Sequence, residues 1–163
     1  MALSRLVAGG THDAATAVMQ AHASRGERRI TVLVADDDDD MRELVATVLQ
    51  ADGYAVVEAR DGAELLARLE EGIEDPASRP DVVVADIMMP KLSGLGVLDA
   101  LRRAQLHFPV LLMTALEDAS IHIVARRLGA LGVFRKPFDM DDLRTAVVNA
   151  CLVYEKDHPS TRP

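Results

Sequence analysis

Apolar runs in this chain repeatedly stop on side chains that can do chemistry. Val82-Val83-Val84-Ala85 delivers Asp86, Ile30 to Ala35 delivers Asp36-Asp37, Pro109 to Met113 delivers Thr114, and a fourth run is followed by Lys136-Pro137. If these runs are strands of one parallel sheet, their ends meet along a single edge, where open α/β sheets bind ligands. Three carboxylates, a hydroxyl and an amine then share one small volume. Carboxylates so close repel one another unless a proton or a cation intervenes. A hard divalent ion with oxygen ligands, Mg²⁺ above all, resolves the conflict. A carboxylate oxygen left unengaged is then a nucleophile toward phosphorus. Lys136 can neutralise charge on a transferring phosphoryl group, and Thr114 can donate a hydrogen bond to it. The residues spell an aspartyl-phosphate site.

The elements needed to position that site are legible. Ile30–Ala35 is continuously apolar, as a strand covered on both faces must be. Met41, Leu44, Val45, Val48 and Leu49 form one helical stripe, preceded by Asp38, Asp39 and Asp40, which suit a helix amino end, and followed by Gly53 as a stop. Tyr54–Ala59 reads as the second strand, Asp61-Gly62 as a turn, and Leu65, Leu66 and Leu69 as the second helix. Gly72 to Pro80 reads as a loop, Asp81–Asp86 as the third strand, and Leu95, Leu98 and Leu101 as the third helix. Pro109–Thr114 is the fourth strand, Ile121, Val124, Ala125 and Leu128 line the fourth helix, and Leu131–Arg135 is a short fifth strand. Leu143, Val147, Ala150, Cys151 and Tyr154 place the last helix. Five alternating strand and helix units make a parallel α/β sheet with right-handed crossovers.

Composition bounds the rest. The chain has 163 residues, 49% of them hydrophobic but only five aromatic, so one domain with an aliphatic core is expected. Residues 1–29 read as a flexible N-terminal extension with a weakly helical stretch from Ala14 to Ala23, residues 30–154 as the domain, and 155–163 as a disordered tail. The formal charge is −8, and the first 29 residues carry about +2 of opposing charge, which leaves an acidic body. Such a body argues against direct binding to a nucleic-acid backbone and favours a cation or a cationic partner. Cys151 is the only cysteine, excluding an intrachain disulfide, and reads as a buried thiol. No apolar run has the length of a membrane span, and no signal peptide is evident, so a cytoplasmic location is expected.

The stretch from about Ile30 to Tyr154 resembles the receiver domain of two-component response regulators, of the stand-alone, chemotaxis-regulator-like type. The matching blocks are Asp36-Asp37 before Met41-Arg42, Asp86-x-x-Met89-Pro90-x-x-x-Gly94, Thr114-Ala115, and Lys136-Pro137-Phe138. The resemblance implies a flavodoxin-like, doubly wound five-stranded sheet of order 2-1-3-4-5. It implies that Asp86 accepts a phosphoryl group from a phosphohistidine on a sensor histidine kinase or histidine phosphotransfer protein. Asp37, Asp86 and the backbone carbonyl of Met88 would bind Mg²⁺, with Asp36 holding it mainly through water. Lys136 and Thr114 would contact the phosphoryl oxygens, and the peptide before Pro137 is a cis candidate. Such a domain is a phosphoacceptor rather than an enzyme with a separate substrate, its only reactions being its own phosphorylation and dephosphorylation.

Three positions depart from the family's pattern. Many receivers carry an aromatic residue three before the lysine, which turns inward as the threonine closes on phosphate. Here that position is Val133, with Phe134 one later. Valine cannot swing with the same reach, so coupling of Thr114 is expected to be weak or to run through the fourth helix. Positions two after the acceptor and two after the threonine are Met88 and Leu116, neither able to orient an attacking water, so slow self-hydrolysis is expected.

Beyond Tyr154 the sequence contains no helix-turn-helix or effector domain, and signalling through the domain's own surface to a downstream protein is expected, with Ile123 beside Arg126 and Arg127 as a partner patch and a homodimer as an option. A phosphorelay intermediate or phosphate sink would use the same site without an output. A Mg²⁺-dependent phosphohydrolase resembling haloacid dehalogenases fits less well, because Asp40 stands where that pattern places threonine and no cap segment follows. A phosphate-independent scaffold is disfavoured because every site position is filled.

Overall fold

The structure, a computed structural model, describes residues 16–21 and 28–157. Five parallel strands, β1 (Thr31–Ala35), β2 (Ala55–Ala59), β3 (Val82–Asp86), β4 (Val110–Thr114) and β5 (Gly132–Arg135), lie in the order β2-β1-β3-β4-β5. A short helix α1 (16–21) precedes them. The connecting helices are α2 (Asp39–Ala51), α3 (Gly62–Glu74), α4 (Gly94–Arg103), α5 (Ala119–Arg127) and α6 (Met140–Asp157). This is the flavodoxin-like order that the receiver resemblance implied, built on the parallel α/β alternation that the apolar runs implied. Each strand expected from the sequence starts one residue before the strand observed. Ile30 and Tyr54 show why: both are buried although they lie outside the ladder, so burial reaches further along the chain than strand pairing.

Because β1 and β3 are covered on both sides, their side chains divide by alternation between two half-cores. Val32 and Val34 face α2 and α6, packing with Val45, Leu49, Leu143 and Val147. Leu33 and Ala35 face α3, α4 and α5, packing with Leu65, Leu69, Val97, Leu98 and Ala125. The register brings Ala35 beside Ala85, Asp86 beside Met113, and Thr114 beside Arg135, so the chemically useful strand ends finish level.

Glycine permits two of the closest approaches near that edge. A Cβ on Gly62 would lie 1.7 Å from the carbonyl oxygen of Leu92, and one on Gly94 would lie 2.4 Å from that of Asp86. Gly94 therefore serves close packing of the turn after β3 rather than an unusual backbone angle.

Several expectations are corrected. Helix α3 runs through Gly72 to Glu74, where the sequence suggests a loop, because the absent Cβ lets Arg79 approach; its Cα would stand 2.7 Å from that atom. Leu44 and Val124, assigned to buried stripes, are exposed, since each lies at the margin of a stripe whose centre is already filled. Within the segment read as a flexible extension, residues 16–21 form α1, and Val18 is buried among Ile30, Tyr54 and Ala150. Met19 packs against the same half-core beside it, so two side chains dock α1. Helix α6 continues to Asp157, past the expected end at Tyr154. Expectations for residues 1–15, 22–27 and 158–163 lie outside the described residues. No described helix is long and apolar enough to cross a membrane.

Candidate phosphoacceptor site

The carboxyl edge of the sheet gathers the predicted residues. Asp36 follows β1, Asp86 ends β3, Thr114 ends β4, and Lys136 follows β5. Helix amino ends converge on the same edge and are capped by side chains: Asp38 caps α2, Asp61 caps α3, Ser93 caps α4 and Asp118 caps α5. Each such end carries partial positive charge, which favours anions on this side of the molecule.

Lys136 is the centre of the arrangement. Its Nζ donates to Asp36 Oδ2 and to Asp86 Oδ2, each at 2.8 Å. The remaining oxygens of both acids accept backbone bonds: Asp38 N–H donates to Asp36 Oδ1 and Met88 N–H to Asp86 Oδ1, each at 3.0 Å. Asp36 and Thr114 are fully buried and Asp86 nearly so, whereas Asp37 is exposed. Thr114 Oγ1 accepts from Leu116 N–H at 3.0 Å, which leaves its own hydrogen free to donate. The Lys136–Pro137 peptide bond is cis.

The electrostatics follow from this geometry. Burial pushes the Asp86 carboxyl above its ordinary range; hydrogen bonding from Lys136 and Met88 acts against this, and the neighbouring charge of Asp36 adds to it. Burial also works against the Lys136 ammonium, but hydrogen bonds to Asp36 and Asp86 outweigh it and raise the pKa. One ammonium thus serves two buried carboxylates, with a third beside them. Oxygens of Asp36, Asp37 and Asp86 lie within 4.8 Å of one another. An all-oxygen, net-negative donor set of this kind fits a hard divalent cation such as Mg²⁺. Asp37 has no hydrogen bond or ion pair among the described residues, which leaves both of its oxygens to offer.

Met88, singled out for its backbone, has an exposed side chain, while Met89 packs against the half-core beside α4. Val133 packs on that same half-core, which Ile121 and Leu128 of the α5 region also join. Phe134 points the other way and packs against Phe138, with ring centroids 5.7 Å apart. The aromatic residue is therefore on the opposite face of β5 from the position it would need to replace Val133.

Two contributors have roles that the sequence did not assign, although Arg42 stands in one of the matching blocks. Arg42 donates to the Asp36 carbonyl at 2.8 Å and pairs with Asp39 and Glu58, tying α2 to the acidic turn and β2. Its place in the first turn of α2, next to the acidic run, was the available signal. Lys91, with φ 69°, reaches Asp61 at 2.9 Å and latches the β3–α4 turn to the cap of α3. Nothing local in the sequence pairs those two residues.

A five-stranded sheet in this order, with an acid triad, a threonine and a lysine on its carboxyl edge, defines a class of signalling domain. The family model of the response regulator receiver domain matches residues 32–148, and this chain belongs to that family. The alkaline phosphatase synthesis transcriptional regulatory protein PhoP of Bacillus subtilis is 34% identical over 116 residues, covering 71% of this chain and 46% of that protein. The probable transcriptional regulatory protein TcrX of Mycobacterium tuberculosis is 36% identical over 114 residues, covering 70% and 46%. The chain spans about half the length of the curated relatives it matches. Among solved structures, the receiver domain of the Francisella response regulator 1452 aligns with TM-score 0.67 and 32% identity over 79% of this chain and 99% of its own. The Vibrio cholerae chemotaxis protein CheY4 aligns with TM-score 0.66 and 29% identity over 76% and 99%.

Proposed function

We propose that this receiver domain accepts a phosphoryl group on Asp86 from a phosphohistidine of a sensor kinase or phosphotransfer protein, and passes the signal on by protein contact. The observation that carries this reading is the single ammonium of Lys136 held between the buried carboxylates of Asp36 and Asp86 at the end of β3. In the reaction, an oxygen of Asp86 attacks phosphorus. A C–O–P bond forms as the P–N bond breaks, and the imidazole leaves neutral after taking up a proton. Asp36, Asp37, Asp86 and the Met88 carbonyl are the groups that would hold Mg²⁺, whose charge, when bound, offsets the negative charge of the carboxylates and the incoming phosphate. Lys136 offsets charge on the transferring group, and the free hydroxyl hydrogen of Thr114 donates to one of its oxygens. Exclusion of water from Asp36 and Thr114 strengthens both interactions.

On this reading the domain is a self-modifying phosphoacceptor that turns over no other substrate. It works in the cytoplasm, where a kinase and a Mg²⁺ supply are available. The curated relatives are named as transcriptional regulators. On this reading the receiver domain passes the signal on by a protein contact, and the role of phosphorelay intermediate differs only in lacking that output.

Intact mass spectrometry after incubation with acetyl phosphate and Mg²⁺ tests the chemistry. A single phosphoryl adduct on the wild type, missing from Asp86→Ala and from chelator-treated protein, is expected. An adduct that persists in Asp86→Ala refutes the assignment of the acceptor.

A further inference from the structure

At the opposite end of the sheet, where β4 and β5 begin, α4, α5 and α6 bound an open groove of about 750 Å³. Thr114 lies five residues beyond Pro109 along β4, placing the groove about 16 Å from the acid cluster at roughly 3.3 Å per residue. The two sites share no side chain. The groove floor is apolar, formed by Leu101, Leu106, Phe108, Leu128, Leu131 and Val153. Leu131 and Val153 are exposed, so part of this apolar surface meets water directly. Phe108 is held in place from behind by Arg79, whose guanidinium carbon lies 4.2 Å from the ring centre.

The rim carries the opposite charge to the rest of the molecule. Although the chain has a net charge of −8, no carboxylate lines the groove among the described residues, whereas the guanidinium of Arg102 does, with the His107 imidazole beside it. Basic residues occupy the last turns of both bounding helices, Arg102 and Arg103 on α4 and Arg126 and Arg127 on α5. Arg103 is paired with Asp99, and Arg102 donates to the Arg127 carbonyl, which fixes it across the mouth between the two helices. Neither Arg126 nor Arg127 has an ion-pair partner among the described residues.

We propose that this groove docks an amphipathic segment of a partner protein, with apolar anchors on one face and Asp or Glu beside them. Three observations select that occupant. Of the polar lining residues, Arg102, Gln105 and His107 are exposed on the rim and only Tyr154 is half-buried, whereas a small-molecule pocket needs several polar groups converging inside it. An apolar centre surrounded by a polar, wet rim is the anatomy of a protein interface. The cationic rim selects carboxylates and sets register and encounter rate. The chain's own ends lack that chemistry: residues 158–163 contain His158 and Arg162 but no Asp or Glu, and residues 1–15 contain Asp13 alone against Arg5. The proposal does not depend on phosphorylation of Asp86.

The test uses the full chain and two labelled peptides, each an amphipathic helix of about four turns with a leucine stripe, one flanked by Glu and the other by Lys. Binding is read by fluorescence anisotropy and mapped by amide chemical shifts. Saturable binding of the Glu peptide is expected, with shifts centred on Leu128, Leu131 and Val153. The Lys peptide binds at least about tenfold more weakly, Arg102→Glu reverses the preference, and Val153→Asp abolishes binding of both. Both substitutions are at exposed sites, and an unchanged melting temperature verifies folding. Equal affinity for the two peptides, shifts centred elsewhere, or no saturation up to about 1 mM overturns the proposal. Molecular mass that rises with protein concentration and falls on Val153→Asp also overturns it, because the occupant is then a second copy.

Discussion

Replacing Lys136 with methionine probes the site through stability rather than activity. The substitution keeps most of the side-chain volume but leaves Asp36 and Asp86 facing each other without a cation. Each carboxylate now lies 2.8 Å from Nζ, an attraction of about 6 kcal/mol at an effective dielectric constant of about 20. The cost of desolvating the ammonium takes back a large part, and breaking buried pairs of this kind leaves a net loss of about 3–5 kcal/mol. That is about a fifth or more of the stability of an ordinary domain. Asp86→Asn behaves differently. It gives up the same attraction, but also relieves repulsion from Asp36, about 3.5 kcal/mol at the 4.8 Å separation that bounds the cluster. It further removes the cost of burying a charge, so its stability falls within about 1 kcal/mol of wild type or above it. In the double variant, Asp86→Asn therefore restores about 2 kcal/mol or more of what Lys136→Met removes. Urea denaturation in chelator-treated buffer reads all four proteins, and the Lys136→Met midpoint is expected to fall by about 2 M. A loss under about 1 kcal/mol for Lys136→Met, or no recovery in the double variant, refutes the view that one ammonium offsets two buried carboxylates.

Titration gives a second check. In metal-free buffer, carboxyl-detected NMR should show Asp86 protonating at higher pH than Asp61, since burial raises the first while bonding from Glu64 N–H and Lys91 lowers the second. The signs oppose: Asp61 supports folding above its unfolded pKa and loses this as pH falls through its lowered value, whereas ionising Asp86 costs stability as pH rises from 3.8 to its raised value. The reverse order of titration contradicts the site geometry. Gly62→Ala forces a Cβ onto the Leu92 carbonyl oxygen and should cost about 3 kcal/mol or more by thermal denaturation. Gly129→Ala meets open space and pays only for its positive φ, about 1 kcal/mol, so equal losses would be the wrong result. If Met88 and Leu116 leave water unoriented, Met88→Asn and Leu116→Glu accelerate loss of phosphate by up to about 10²-fold, followed by mass spectrometry over time; unchanged lifetimes dismiss that explanation.

The sequence by itself determined the alternation of strand and helix, because both-sided burial demands continuous apolar runs and one-sided burial demands helical stripes. It also determined which residues end those runs, and therefore that Asp36, Asp37, Asp86, Thr114 and Lys136 share an edge once the strands align. Margins were less legible. Leu44 and Val124 satisfy a helical stripe on paper, yet lie exposed because a stripe's width depends on how far the sheet extends beneath it. Gly72 signals a break to a sequence reader, but within α3 it makes room for Arg79 from a loop that local pattern cannot place. Only the tertiary structure decided that Lys136 bridges two acids 50 and 100 residues away, that Lys91 latches Asp61, and that Val18 finds a place in the core. It alone brought Arg102, Phe108, Leu131 and Val153 around one groove. The common reason is that periodicity records which way a side chain faces, whereas pairing across elements is set by register and helix packing, which depend on the whole chain at once.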